Sequence, residues 1–423
     1  MSDLKKTDPA AASPTGAVDP RLLVREQGFK GYLNDFRRRV RGGELGSLPV
    51  IVGLIIIAVV FQSQNDSFLS ASSLSNISVY TAGLGIMAIG VVFVLLLGEI
   101  DLSIGSVAGV GAALWAVLSV THGLNDWLSV LLALALGGGI GLLHGFFFAK
   151  VGVPAFVVTL AGFLGWSGLQ IWLMGEEGSI NTPSGSIVED LTGYYFADKA
   201  AAYALAAVAV AGYLAAQLLD ARRRRAAELP SRPMSEIALR TGVLAVLAFV
   251  IAYELNEPKG ARGLPLALVV FLVILVLADF VARRTVYGRQ IFAVGGNAEA
   301  ARRAGINVEK IRITVFGIAG TLAVVGGLFI ASQSGGANKS LGAGNTLMNV
   351  IAAAVIGGTS LFGGRGKIWS ALLGALVIMS IQQGLDLMGM ASEIQFMITG
   401  AVLLAAVVID SVSRRTQKTA GRT

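Results

Sequence analysis

Cysteine is absent from the 423 residues, and there are only two His. Disulfide scaffolds, thiolate nucleophiles and Cys-ligated zinc are therefore excluded, and two His cannot build a His-rich metal centre. Charge is scarce as well. Asp, Glu, Lys and Arg make up 14% of the chain, against about 25% in a soluble domain. So few charges cannot cover a water-soluble globule of this length. Disorder needs low hydrophobicity, whereas 54% of the residues are hydrophobic, and the 54 Gly lack the three-residue period of collagen. What is abundant is long apolar runs. They make the chain an all-α polytopic membrane protein.

A helix needs about 20 mostly apolar residues to cross the hydrocarbon. Twelve segments qualify as predicted spans: 47–63, 77–98, 102–121, 127–149, 151–174, 200–219, 237–254, 263–282, 313–331, 347–361, 368–385 and 394–411. Residues 1–46 form a polar arm without an apolar start, so they are not a cleaved signal peptide. The arm ends in the basic string Arg37-Arg38-Arg39-Val40-Arg41. The expected organisation is a tail over 1–46, a membrane domain over 47–411 and a second tail over 412–423. Lys and Arg collect in cytoplasmic loops. Of the 33 in the chain, only Lys199, Lys259, Arg262 and Lys339 fall on one side under this topology, and 29 fall on the other. Both termini are thus expected in the cytoplasm of a plasma (inner) membrane protein, with 283–312 inside and 175–199 outside. The net charge of +7 is spread along membrane edges, which argues against nucleic-acid binding. Trp127, Trp172 and Tyr253 fall at expected outer ends, as an aromatic belt would.

Three places depart from plain spans. Gly98 to Gly105 puts Glu99, Asp101 and Ser103 between two apolar runs with hardly any linker. Asp101 or Ser103 could cap the next helix, or line a polar path. Gly357 to Gly364 repeats the pattern Gly-x-x-[Asp/Ser]-Leu-x-x-Gly, with Ser360 opposite Asp101. His144-Gly145 and Phe156 to Thr159 loosely echo Gln383-Gly384 and Phe396 to Thr399. Paired interrupted segments point to a transporter core built by duplication, and chance is the alternative in so Gly-rich a chain. The third place is the loop 283–312. Asn297 suits an N-cap, Glu299 to Ala304 favours helix, and Gly305 is a stop. Such a helix could dock a partner, or rest on anionic lipid through Arg302 and Arg303.

Two nucleotide motifs fail on context. Gly83-Leu84-Gly85-Ile86-Met87-Ala88 lies inside a span, without the strand a dinucleotide fold requires. Gly366-Lys367 is followed by Ile368, and Leu361 stands where a phosphate loop needs its first Gly. The chain carries no ATP site of its own, and no cofactor or metal site is expected. Trp166 and Gln170 lie four apart on one helix face. They could line a polar path, or pack between helices. Gln382 and Gln383 are weaker candidates of the same kind.

The loop residues Glu299-Ala300-Ala301-x-x-x-Gly305 resemble the EAA-x-x-x-G coupling loop of ABC-importer permeases. The wider string from Gly288 and Arg289 through Gly295, Gly296 and Asn297 to Gly305 resembles the permeases of carbohydrate-uptake class 2 importers. The strings at 98–107, 153–169 and 355–376 resemble that family too, so the similarity runs from about residue 50 to 411. Residues 175–262 depart from it by a long outer loop and an extra span pair, which is most like the xylose importers of the family. The resemblance implies a multi-span importer fold of the vitamin B12 type and no chemistry on the substrate. It also implies three partners: a second permease copy, a cytoplasmic ATPase and an extracytoplasmic sugar-binding protein. Asp101, Ser103, Trp166, Gln170, Ser360 and Gln383 are the candidates for a path taking a pentose, D-xylose first. Ribose, galactose or another small polar solute is the alternative cargo. A stand-alone secondary carrier would need an intramembrane relay, with Glu99, Asp101, His144 and Asp279 as its only candidates. A membrane enzyme finds no nucleophile–base pair in the sequence.

Overall fold

The computed structural model describes residues 47–229, 231–257 and 260–419. The arm over 1–46 lies outside them. Helices occupy every predicted span: α1 Leu48–Gln64, α2 Ala71–Leu96, α3 Ile104–Ala116, α4 Asp126–Phe146, α5 Ala155–Met174, then a short α6 Ile187–Gly193. There follow α7 Lys199–Ala226, α8 Met234–Asn256, α9 Leu266–Arg284, α10 Val286–Gly296 and α11 Ala298–Arg303. The last four are α12 Val308–Gln333, α13 Asn345–Ile356, α14 Trp369–Leu387 and α15 Ser392–Thr419. Single π turns, Val117–Thr121 and Phe147–Val151, extend α3 and α4.

Among the described residues, nine helices are long and apolar enough to cross a membrane, and α1 and α13 are shorter. The expected count of about twelve spans is thus not confirmed, and the helix at 347–361 is shorter than its predicted segment. Gly357 and Gly358 end the helix there, and twelve residues reach only about 18 Å. The last helix also continues past 411, through Thr419.

A helix that is apolar all round belongs inside protein, and α2 is the clearest case. It carries no charge, is 94% buried over its most apolar window, and is surrounded by α9, α12, α13 and α14. Its main neighbour α12 also packs on α4. Gly137 and Gly141 of α4 face Gly320 and the Phe316–Gly317 backbone of α12 so closely that a Cβ at Gly137 would stand 2.6 Å from the Gly320 carbonyl oxygen. Small residues let helix backbones meet where lipid supplies no hydrophobic drive.

The extra pair α7–α8 sits at the rim, with 11% of each apolar window buried. It shares a small core of Ala202, Ala206, Ala252, Leu255, Leu264 and Leu268. Lys199 pairs with Glu257 at one end, and Asp220 meets Arg284 of α9 at 3.2 Å at the other. Two short ladders fasten the segment 175–265. β1 Ser179–Asn181 runs antiparallel to β4 Gly336–Asn338, and β2 Tyr195–Phe196 to β3 Leu264–Pro265. The segment expected to be an outer loop is thus built onto the chain leading into α13. Asp126 completes the attachment: Trp115 Nε1 and Ser119 Oγ donate to Oδ1 at 2.6 and 2.9 Å, and the Ile187 amide donates to Oδ2 at 2.6 Å.

Candidate translocation and coupling sites

Helix α2 ends in a glycine cap. Gly98 takes φ +83°, its N–H donates to the Leu95 carbonyl, and the Glu99 N–H donates to Val94. This is the paired pattern of a Schellman end. Three residues on, Asp101 is 5% exposed. Its Oδ1 accepts the Ser103 N–H at 2.8 Å and the Ser103 hydroxyl at 2.6 Å. Ser103 is the N-cap residue of α3 but makes no side-chain cap bond. The capping expectation is corrected accordingly: Asp101 closes the turn before the helix, and Ser103 gives its hydroxyl to Asp101.

Two further helices meet this turn. His144 of α4 brings Nδ1 to 3.3 Å from Ser103 Oγ, and Trp166 of α5 donates its indole N–H to His144 Nε2 at 2.9 Å. An indole is only a donor, so Nε2 is the unprotonated nitrogen and Nδ1 carries the hydrogen toward Ser103. The chain of donors runs Nδ1–H to Oγ and Oγ–H to carboxylate. Thr159 of α5 accepts the Leu102 N–H at 3.1 Å and returns its own hydrogen to Ala155. Gly162 leaves the room: a Cβ there would stand 3.1 Å from the indole nitrogen. An Asp, a Ser and a His in contact invite a hydrolytic reading, but their order is wrong. In a nucleophilic triad the imidazole lies between the other two and accepts the hydroxyl proton. Here the serine lies between, and the imidazole donates to it.

Gln170, one turn beyond Trp166, is 2% exposed. Its amide donates to the Asn338 carbonyl at 2.8 Å and the Leu341 carbonyl at 3.1 Å. Trp166 and Gln170 thus spend their polar ends on protein, on different partners. Ser360 and Gln383 are buried and neither hydrogen-bonds to the Asp101 cluster. Ser360 Oγ accepts the Phe362 N–H at 3.1 Å, repeating the two-residue turn of Asp101. Gln383 makes no side-chain hydrogen bond among the described residues. The glycine end recurs as well, with Gly358 at φ +101° and Thr359 N–H on the Ala354 carbonyl. Gly98 therefore corresponds to Gly358, one residue later than the string alignment pairs it.

The 283–312 loop holds the expected helix. Thr285 Oγ1 accepts the Gly288 N–H at 3.1 Å to open α10, where Gly288 is buried and Arg289 is exposed. Asn297 Oδ1 accepts the Ala300 N–H at 2.9 Å to open α11. Gly305 ends it at φ +81°, with its N–H on Arg302 and the Ile306 N–H on Ala301. Glu299 lies 3.1 Å from Arg302 and 3.3 Å from Arg303. Ala301 is buried, so Ala300 alone of the alanine pair presents a small outward surface. At the same end of the bundle, burial raises the Glu99 carboxyl above the usual carboxylate range, with Arg312 pulling it back.

Of the four relay candidates, Asp101 and His144 are joined through Ser103, while Asp279 pairs within its own helix with Arg283 at 3.6 Å. Sequence reasoning did not place His144 and Thr159 beside Asp101, nor the 334–344 loop beside Gln170. Thr159 carried a signal in the string that it shares with residue 399. His144 carried the signal of the string it shares with Gln383-Gly384 and of a lone ionisable group within a span, but neither pointed to Asp101 as its neighbour.

A buried polar turn, interrupted helices and a capped surface helix within a many-helix bundle define a membrane transport subunit. The chain matches the family described as "branched-chain amino acid transport system / permease component" over residues 73–407, and it belongs to that permease family. It is 34% identical over 373 residues to the xylose transport system permease protein XylH of Haemophilus influenzae, covering 87% of this chain and 98% of that protein. It is 34% identical over 368 residues to XylH of Escherichia coli K12, covering 86% and 92%. The ribose import permease protein RbsC of Escherichia coli K12 is 29% identical over 361 residues, covering 85% and 92%. No solved structure matches the chain.

Proposed function

We propose that this chain is the membrane subunit of an ATP-driven importer of D-xylose in the plasma (inner) membrane. The observation that carries this is the 34% identity to xylose permeases, extending over 98% of one of them. In this reading two copies form the path, an extracytoplasmic sugar-binding protein delivers the pentose, and a cytoplasmic ATPase docks on α11 and supplies the energy. The Lys and Arg asymmetry supports placing residues 1–46 and the C-terminal end on the cytoplasmic side. The chain performs no covalent chemistry. The Asp101–Ser103–His144–Trp166 cluster and Gln170 hold the path in shape, with their polar groups satisfied inside the protein. Ser360 and Gln383 sit on the matching half of the duplication.

Removal of the gene from its native host tests the reading through uptake of radiolabelled xylose, ribose and galactose. Xylose uptake is expected to be lost and restored by the plasmid-borne gene, with the other two unchanged. Loss of ribose uptake alone would move the substrate to ribose, which the 29% identity to ribose permeases favours second. Unchanged uptake of all three would overturn the sugar assignment.

A further inference from the structure

Three stretches far apart in sequence meet backbone to backbone at one end of the bundle. The first is the end of α2, Leu96 to Gly98. The second is Gly363-Gly364, in the matching string after α13. The third is Gly295-Gly296, the last two residues of α10 before the docking helix. The Leu96 carbonyl accepts the Gly364 N–H at 2.9 Å. A Cβ on Gly295 would overlap that same carbonyl and stand 3.0 Å from the Gly364 nitrogen. A Cβ on Gly363 would stand 2.7 Å from the Gly295 carbonyl oxygen and 2.9 Å from the Gly98 backbone. A Cβ on Gly364 would stand 3.0 Å from the Gly296 Cα. No side chain separates the three strands, so none can shift without pressing on the others.

What the junction connects matters more than its tightness. On one side Asn297 follows Gly296 at once and caps α11. On another, Gly98 is three residues from Asp101 and therefore from the turn that holds Ser103, His144 and Trp166. On the third, Gly364 is four residues from Ser360 and its equivalent turn. We infer that Gly295 is a positioning residue of the transport cycle: through the glycine junction it ties the docking helix to both interrupted segments at once, so that ATPase movement reaches the two halves of the duplication together. The inference rests on the importer reading above. It adds that the signal leaves α11 through backbone contact at Leu96 and Gly364. Packed elements with discrete arrangements can carry such coupling.

The test uses the full importer, with the ATPase that co-purifies with this chain and its sugar-binding protein, in nanodiscs and proteoliposomes. Gly295→Ala is expected to cut sugar uptake about tenfold, as a coupling between sites of ordinary size would, and to lose stimulation of ATP hydrolysis by sugar-loaded binding protein. Gly139→Ala, where a Cβ meets nothing within 4 Å, should transport like the wild type. Hydrogen exchange on the wild-type complex gives a measurement that needs no substitution. On adding a non-hydrolysable ATP analogue, peptides covering 286–296, 95–103 and 357–367 should change exchange together. A response in 286–296 with both other peptides unmoved would overturn the inference, as would a Gly295→Ala importer with wild-type uptake and stimulation. A wild-type complex that imports no sugar at all would instead overturn the importer reading.

Discussion

Ser103→Ala probes the buried turn directly. The substitution removes the 2.6 Å hydroxyl bond to Asp101 and the acceptor 3.3 Å from His144 Nδ1. A hydrogen bond to a charged group is worth about 1.5–3 kcal/mol, and a buried donor left unpaired costs about 1–3 kcal/mol. Hydrogen bonds between membrane helices average nearer 0.6 kcal/mol, because the unfolded chain in lipid also finds partners. The carboxylate decides between these scales: its hydroxyl partner comes from the adjacent turn, and the Asp101 charge has no basic residue bonded to it among the described residues. The expected loss is about 3 kcal/mol. Ser106→Ala is the matched control, since Ser106 Oγ donates to the Ser103 carbonyl at 2.9 Å. That carbonyl also accepts the Val107 N–H at 2.9 Å, so nothing is orphaned and about 0.5 kcal/mol should be lost. Reversible unfolding by dodecyl sulfate in mixed micelles, followed by tryptophan fluorescence, measures both. If Ser103→Ala costs no more than Ser106→Ala, the turn is not held by this chain of bonds.

Gly305→Val should leave the protein in the membrane but release the ATPase in co-purification, because φ +81° is strained for a β-branched residue. Glu299→Ala should weaken that association much less, since an exposed charge in a first helical turn is worth about 0.3–1 kcal/mol. Single cysteines placed in this Cys-free chain report topology: an impermeant thiol reagent on intact cells should label position 190 and spare position 300, and the reverse pattern would invert the orientation. The purified chain should hydrolyse no ATP by itself, and hydrolysis that follows the protein through every purification step would contradict the absence of a phosphate loop.

Hydrocarbon makes span positions legible, because it demands long apolar runs whatever the tertiary fold. That is why each predicted segment carries a helix. At 347–361 the helix is shorter than its apolar segment because Gly358 turns left-handed, inside the Gly-rich string that stands out in the sequence. The surface helix α11 was legible because its signals are local, Asn297 at one end and Gly305 at the other. The polar cluster was only half legible. Asp101 and Ser103 stand out as polar residues in an apolar stretch, but the pairing of His144 with Trp166 depends on how α4 and α5 are rotated about their axes. The close contact of Gly295 with Leu96 depends on two helix ends and a loop closing on one another, and no local pattern encodes it.

The short helix α13 carries a consequence for how the protein can move. The chain entering it, 334–344, is neither helix nor continuous strand, yet Leu341 and Gly342 lie against Gly109 and Gly105 of α3. Peptide groups that leave regular structure at membrane depth survive only where protein or water answers them. Gln170 answers two of their carbonyls and so takes the place of solvent for that stretch of main chain. When the stretch moves away from Gln170, its carbonyls must find water within the same step. Breaking these two bonds without water in their place would leave buried carbonyls unpaired, a cost that holds the stretch where it lies.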